Sequence, residues 1–281
     1  MSIAALVARF GRQHALQEIK WLKSAVQDNQ HALEHLINRR LTGEPLQYIL
    51  GTQPFGPLNL LVRPPVLIPR PETEHWAIQL AQLLSPTPAK PLSLLDLGTG
   101  SGCIPLLLCH LWPSGSLYAH GIDCSPDAVQ LATDNAESVG IRLLSASTRR
   151  DGALTHNVFK PELASYLDPT VLNLLEPPYD VITANPPYIP RREYDDLPSE
   201  VKDYEDQRAL LGGEDGLIFY HAIAKLVADG LLAEHGTLAL EVGHDQAPRV
   251  QEILRAAAHM ESIDVWLDPW GKQRTIIARR S

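Results

Sequence analysis

A chain of 281 residues has room for one large α/β domain and a small accessory one, since single cores stop growing beyond roughly 250 residues. Hydrophobic residues at 44%, charged residues at 20% and a mean hydropathy of -0.10 describe an ordinary globular protein, and no apolar run approaches the roughly 20 residues that span a bilayer, so no membrane partner is expected. The formal charge of -9 opposes non-specific attraction to a phosphate backbone, and Cys103, Cys109 and Cys124 lack the Cys-x-x-Cys spacing or histidine pairing of a metal site, so they are read as reduced, packed thiols.

From Ile3 to Leu41 apolar residues recur at helical spacing, as in Leu16, Ile19, Trp21, Leu22 and Val26, then Leu33, Leu36, Ile37 and Leu41. Two or three amphipathic helices are predicted, forming a helical domain over residues 1–42 that is too small for a large core of its own. Its balance is mildly basic, with Arg9, Arg12, Lys20, Lys23, Arg39 and Arg40 against Glu18, Asp28, Glu34 and Glu44. Met1 to Gln17 carries arginines and no acid, as an organellar presequence does, but its smooth continuation into the next helical pattern favours a plain first helix. Gly43-Glu44-Pro45 ends the helices. Short apolar runs broken by Gly51, Pro54, Gly56 and Pro57 then predict a β-hairpin between Gln47 and Val62, within a linker over residues 43–70. Pro71 suits a first helical turn and Glu72 and Glu74 suit its positive end, which predicts a helix from about Glu72 to Leu84.

The remainder, residues 71–281, reads as one domain. After Pro86-Thr87-Pro88 come a strand Leu92–Leu97, a helix Cys103–Leu111, a strand Ser116–Ile122 and a helix Pro126–Val139, an alternation that implies βαβ units and a parallel sheet. Leu143 to Pro178 is irregular, read as one strand and then a loop with a short helix around Pro161 to Leu167. Strand Tyr179–Ala184, helix Leu217–Leu231, strand Thr237–Val242, helix Asp245–His259 and closing strands Ile263–Leu267 and Arg274–Arg279 complete the pattern.

The segment Asp96-Leu97-Gly98-Thr99-Gly100-Ser101-Gly102 follows one of these strands and opens a helix, where a doubly wound sheet binds a nucleotide-like ligand. A dinucleotide fingerprint spaces its glycines Gly-x-Gly-x-x-Gly, whereas Gly98, Gly100 and Gly102 are spaced Gly-x-Gly-x-Gly behind an acid. An acid there can meet the ammonium of a methionine moiety, which favours S-adenosylmethionine over NAD. Asp123 ends the next strand about 20 residues on, where a carboxylate can accept both ribose hydroxyls, although it would also serve as a plain cap for the following helix.

Asn185-Pro186-Pro187-Tyr188 follows strand Tyr179–Ala184 and so sits at the carboxyl edge of the sheet, beside the same crevice. A planar amide-like nitrogen is a poor nucleophile because its lone pair is delocalised. A site helps by accepting hydrogen bonds from its N–H groups and turning the lone pair toward the methyl donor. Asn185 supplies one acceptor through its side-chain oxygen and the Pro186 carbonyl a second, the prolines stiffen the backbone, and Tyr188 offers a flat wall. The plain alternative is a Pro-Pro loop with a capping asparagine.

From Gly43 to Arg279 the chain also carries Gly43-Glu44-Pro45-Leu46-Gln47-Tyr48-Ile49-Leu50-Gly51, Leu67-Ile68-Pro69-Arg70-Pro71-Glu72-Thr73-Glu74 and Gly212-Gly213-Glu214-Asp215-Gly216-Leu217. With these motifs it resembles the HemK/PrmC family of protein-(glutamine-N5) methyltransferases, which modify the glutamine of the Gly-Gly-Gln motif in peptide chain release factors. The resemblance implies a seven-stranded Rossmann-like class I methyltransferase sheet with its last strand antiparallel, preceded by the small helical domain and the β-hairpin linker. It implies S-adenosylmethionine as cofactor, held by Asp96, Gly98, Thr99, Gly100, Ser101, Gly102, Asp123 and Asn185, and Asn185, Pro186, Pro187 and Tyr188 as the catalytic holder of a release-factor glutamine. Where the family has an acid before an adenine-contacting aromatic, Asn157-Val158-Phe159 is taken as the counterpart, which makes Asn157 a cofactor contact. Tyr204-Glu205-Asp206-Gln207 stands where the family pattern reads Glu-Pro. The short N-terminus and the inserted stretch are similar to eukaryotic mitochondrial members, so a mitochondrial location is expected, with the cytoplasm as the alternative.

A different class, adenine-N6 or guanine-N2 methyltransferases of DNA or RNA, would use Asn185 in nearly the same way on a flipped base. The acidic charge and the lack of a separate basic, aromatic-rich recognition domain argue against it. An inactive cofactor-binding scaffold is disfavoured by the intact tetrapeptide. The basic N-terminal helices and the hairpin are expected to hold the protein partner.

Overall fold

The amino-terminal periodicity becomes three helices, α1 (Ile3–Phe10), α2 (Arg12–Ala25) and α3 (Gln30–Leu41), in a computed structural model that describes residues 3–27, 29–144, 154–257 and 259–281. The Asn29 side chain caps the third helix by accepting from the Ala32 amide. Ala15, Ile19 and Leu22 form the buried stripe of α2, at i, i+4 and i+7, while Leu16 and Trp21 fall off that line and stay about half exposed. Leu6 is fully buried in the same cluster, as a plain first helix requires. The cluster is closed by Leu46 and Ile49 of α4 (Leu46–Leu50), so this small core runs past residue 42, where the helical domain was expected to end.

Arg40 does not point outward for a partner. It is 5% exposed, donates to both oxygens of Glu18 at 3.0 and 3.1 Å and reaches Glu200 at 3.0 Å, with its guanidinium 4.0 Å from the Phe10 ring centroid. It therefore ties the helices to a distant loop.

The expected hairpin is present as β1 (Thr52–Phe55) and β2 (Leu58–Leu61), and α5 (Pro71–Leu83) starts on its proline. Then follow β3 (Leu92–Leu97), α6 (Cys103–Leu111), β4 (Leu117–Asp123), α7 (Pro126–Ser138), β5 (Arg142–Leu143), β6 (Val158–Leu163) and β7 (Tyr179–Ala184). Three one-turn helices, α8 (Arg191–Tyr194), α9 (Ser199–Lys202) and α10 (Gln207–Leu210), lead to α11 (Ile218–Ala228), β8 (Leu232–Glu241), α12 (Ala247–Ala257), β9 (Met260–Leu267) and β10 (Gln273–Arg280).

Among the described residues the main sheet has eight strands in the order β5-β6-β4-β3-β7-β8-β10-β9, one more than expected because the two-residue β5 extends its edge. The strand β10 is antiparallel to both neighbours, and the strands from β5 to β8 are parallel. Leu95, Leu97 and Ile182 pack under α11 and α12, while Leu94 and Val181 pack under α5, α6 and α7. With both faces covered, the central strands read as continuous apolar runs rather than alternating ones.

The short helix expected at Pro161 to Leu167 is absent: residues Val158 to Leu163 pair in parallel with Tyr118 to Asp123. Proline misled the reading, yet among the described residues Pro161 lies beyond the stretch that β5 covers, a place where a sheet tolerates proline. The order of strands reverses between β3 and β7, and it is there that a doubly wound sheet opens a crevice at its carboxyl edge.

Candidate active site

The carboxyl ends of β3, β4, β6 and β7 enclose a cavity of about 380 Å³, within the range of small-molecule sites. Gly98 and Gly100 line it after β3, Asp123 and Cys124 after β4, Ser165 and Tyr166 after β6, and Asn185 and Pro187 after β7. Its roof comes from Pro65–Leu67 of the linker and from Asp206–Leu211. Cys103 and Cys109 are packed in α6 as expected, but Cys124 is exposed and faces this space.

The glycine loop is shaped by backbone needs. Gly98 and Thr99 amides both donate to the Ile122 carbonyl at 2.9 Å, and the Gly100 amide donates to Asp123 Oδ2 at 2.9 Å. Gly100 has φ 55, in the left-handed region, and a side chain on Gly102 would stand 3.2 Å from Ala132 Cβ and 3.3 Å from the Phe159 ring. Asp123 thus has two tasks: its other oxygen accepts from the Ser125 amide in a local turn, without capping α7, whose N-cap is Ser125, while the carboxylate faces the cavity. Burial raises its pKa, against hydrogen bonds from Ser125 and Gly100 that favour the charged form.

Asp96 lies one residue before the end of β3, opposite Thr183 of β7, and is fully buried. Burial pushes its carboxyl up to about 6, although Thr183 donates to Oδ1 at 2.7 Å. Among the described residues its Oδ2, Thr99 Oγ1 and Ser101 Oγ are buried with no hydrogen-bond partner. Three unpaired polar atoms around one loop cost free energy, which a polar ligand group at this place would recover.

Asn185 also lines a second cavity of about 180 Å³, bounded by Leu67, Arg70, Tyr188, Val201 and Leu210. It stands where the two spaces meet. Its Nδ2 donates to Thr73 Oγ1 at 3.1 Å, and no donor among the described residues reaches the Pro186 carbonyl. Tyr188 belongs to the smaller cavity, and burial pushes its phenol well above the ordinary value. The motif Gly212 to Leu217 supports this turn from below: the Gly212 amide donates to the Ile189 carbonyl at 2.9 Å, and a side chain at Gly212 would stand 2.6 Å from the Pro187 carbonyl.

Asn157 is not part of the site. It precedes β6 at the amino edge of the sheet, accepts from the Ser116 and Leu117 amides at 2.9 and 3.0 Å, and donates to the Cys109 and Trp112 carbonyls at 2.8 and 3.1 Å. All its hydrogen-bonding capacity on those atoms holds loops together. The places at the carboxyl end of β6 belong instead to Ser165 and Tyr166, the latter edge-on to Phe219 with centroids 5.7 Å apart. Reading Val158 to Leu163 as a strand would have located them, since the residues just after a parallel strand face the crevice.

Residues 14–51 match the family described as the PrmC N-terminal domain. A release factor glutamine methyltransferase of Moorella thermoacetica is 37% identical over 87% of this chain and 78% of its own length, and one of Thermodesulfovibrio yellowstonii is 37% identical over 89% and 82%. The chain belongs to the release factor glutamine methyltransferase family. Both of these members are bacterial and lend no support to a mitochondrial location. A methyltransferase of Pyrococcus furiosus superposes with a TM-score of 0.53 over 80% of this chain and 89% of its own, at 15% identity, which supports the class I methyltransferase fold alone. In this chain the segments Gly43 to Gly51 and Leu67 to Glu74 have structural work to do: the first closes the amino-terminal core, and the second leads into α5, whose Thr73 reaches Asn185.

Proposed function

We propose that this chain transfers the methyl group of S-adenosylmethionine to the side-chain amide nitrogen, N5, of the glutamine in the Gly-Gly-Gln motif of a peptide chain release factor. The observation that carries the proposal is Asn185 at the junction of a large and a small cavity, with its amide NH₂ already engaged by Thr73. Its Oδ1 and the Pro186 carbonyl then remain as acceptors for the two N–H groups of a carboxamide. No base is needed before transfer, because the nitrogen loses its proton readily once it carries the new methyl group.

The large cavity suits the cofactor by its own chemistry. Asp123 offers an acceptor to ribose hydroxyls and Tyr166 with Phe219 offers aromatic surface to the base, while Asp96, fully buried near the end of β3 and not itself lining the cavity, keeps an unpaired carboxylate oxygen for the methionine ammonium. When bound, S-adenosylmethionine supplies a methyl group on a positively charged sulfur. The chain's own residues orient the acceptor amide and keep water away from it. Recognition of the whole release factor is assigned to the N-terminal helices up to Leu41 and the hairpin from Gln47 to Val62, because a lone glutamine offers too little surface to select a partner.

Incubation with labelled cofactor and a release factor, followed by mass mapping, tests this. Label is expected on the glutamine of Gly-Gly-Gln. Asn185→Ala should lower turnover by about 10²- to 10³-fold while cofactor affinity, measured by calorimetry, stays near that of the parent. Label on DNA or RNA bases instead, or full turnover by Asn185→Ala, would sink the assignment.

A further inference from the structure

Thr73 lies in the segment Leu67 to Glu74, and beyond its contact with the Asn185 amide the proposed chemistry asks nothing of what lies behind it. It is 2% exposed and its hydroxyl donates to Oε2 of Glu241, the last residue of β8, at 2.6 Å. The same oxygen accepts from Trp76 Nε1 at 3.0 Å. The backbone of Glu241 is held in turn, since Tyr220 donates to its carbonyl at 3.0 Å. A buried chain thus runs from β8 through α5 to the tetrapeptide.

The direction of this chain is set by counting hydrogens. A threonine hydroxyl has one, and it is given to Glu241 in its charged form, which the hydrogen bonds from Thr73 and Trp76 favour against the burial that raises its pKa. Thr73 Oγ1 therefore meets Asn185 only as an acceptor, so the nitrogen end of the Asn185 amide must face Thr73 and the oxygen end must face away. A turn of that amide by half a revolution would present NH₂ to the N–H groups of a bound carboxamide, donor against donor, and would leave Thr73 facing an oxygen with no hydrogen between them.

We propose that Glu241, acting through Thr73, selects which end of the Asn185 amide faces the substrate, making Thr73 and Glu241 positioning residues for methyl transfer. This rests on the reading of Asn185 as the acceptor for the substrate amide. Thr73→Val removes the hydroxyl and keeps the shape, and it should lower kcat about ten- to a hundredfold, the range found when a group that orients a reactive side chain is lost. KM for S-adenosylmethionine should stay within about twofold, because the glycine loop, Asp123 and Tyr166 are untouched and only the Asn185 amide is affected. Thr73→Ser, which keeps the hydroxyl, should restore the rate.

A purely structural role would also lower activity, so a double-mutant cycle decides between them. If the chain acts through Asn185, Thr73→Val should have no further effect on the residual rate of Asn185→Ala. Single-turnover methylation of a release factor with labelled cofactor measures all four proteins, and Thr73→Ala gives the same comparison should valine crowd the carboxylate. Parental turnover by Thr73→Val beside a crippled Asn185→Ala would overturn the relay and leave the proposed function standing. Equal losses in both backgrounds would overturn it too. Full activity of Asn185→Ala would remove both proposals together.

Discussion

The place of Asp96, proposed above to meet the cofactor's ammonium, carries a cost in stability. A carboxyl raised from its ordinary 3.8 to about 6 by burial binds its proton more tightly in the folded chain than in the unfolded one. Stability from this group therefore falls as pH rises from about 4 to 6, and at pH 7 the ionised form costs about 3 kcal/mol. Asparagine is neutral throughout and keeps an acceptor for Thr183. Asp96→Asn should thus stabilise the free protein at pH 7 by up to about 3 kcal/mol, with the gap to the parent closing as pH is lowered toward 4. Urea denaturation at several pH values measures this, and a gap of constant size would show that the carboxyl is not the cause. Cofactor affinity should fall in the same variant, because the unpaired oxygen proposed to receive the ammonium is gone. Asp96, Asp123 and Asn185 were legible in the sequence because each sits at the carboxyl end of a strongly apolar run. Asn157 was misplaced because it stands before its strand and not after it, a distinction that periodicity does not carry.

At the scale of elements, central strands and long helices were read to within a few residues, since burial on both faces leaves continuous apolar runs and single stripes. Strand β6 was not, because Pro161 and the charged Lys160 and Glu162 conceal a strand whose outer side is, among the described residues, paired only at Val158 and Phe159. The one-turn helices α8, α9 and α10 were invisible for another reason: each is four residues long and has no periodicity to display. The basic residues of the first helices were legible as charge but not as contacts. Arg40 was expected to face a partner, whereas it bridges Glu18 and Glu200 from a buried position. Removing one member of a buried ion pair strands the other, so Arg40→Met should lower stability by roughly 3–5 kcal/mol. The change in denaturant midpoint measures it. A loss of less than about 1 kcal/mol, the value of an exposed pair, would return Arg40 to the surface role.

For the whole molecule, the reversal of strand order between β3 and β7 places the glycine loop and the tetrapeptide side by side, and everything else in the site is brought to them from elsewhere in the chain. The roof over the large cavity is one such import. Glu205 receives two hydrogen bonds from Arg70 at 2.6 and 2.8 Å, and the Asp206 amide donates to the Pro65 carbonyl at 2.8 Å, so the roof is fastened to the linker. Glu200, five residues earlier, is fastened to Arg40 at 3.0 Å and lies 4.0 Å from Arg9. The amino-terminal helices therefore steady a segment that covers the large cavity, and cutting them away should disturb the proposed cofactor binding as well as the proposed recognition of a release factor. Glu200→Ala isolates the connection, because Glu200 lines neither cavity and Arg40 keeps its pair with Glu18. A partly exposed ion pair is worth about 0.5–1 kcal/mol, so if the roof depends on it the dissociation constant for S-adenosylmethionine should rise about two- to fivefold. Titration calorimetry on a folded variant measures the change, and raising the ionic strength should produce a smaller shift in the same direction in the parent. An unaltered constant in Glu200→Ala would mean that the linker contacts at Arg70 and Pro65 hold the roof by themselves.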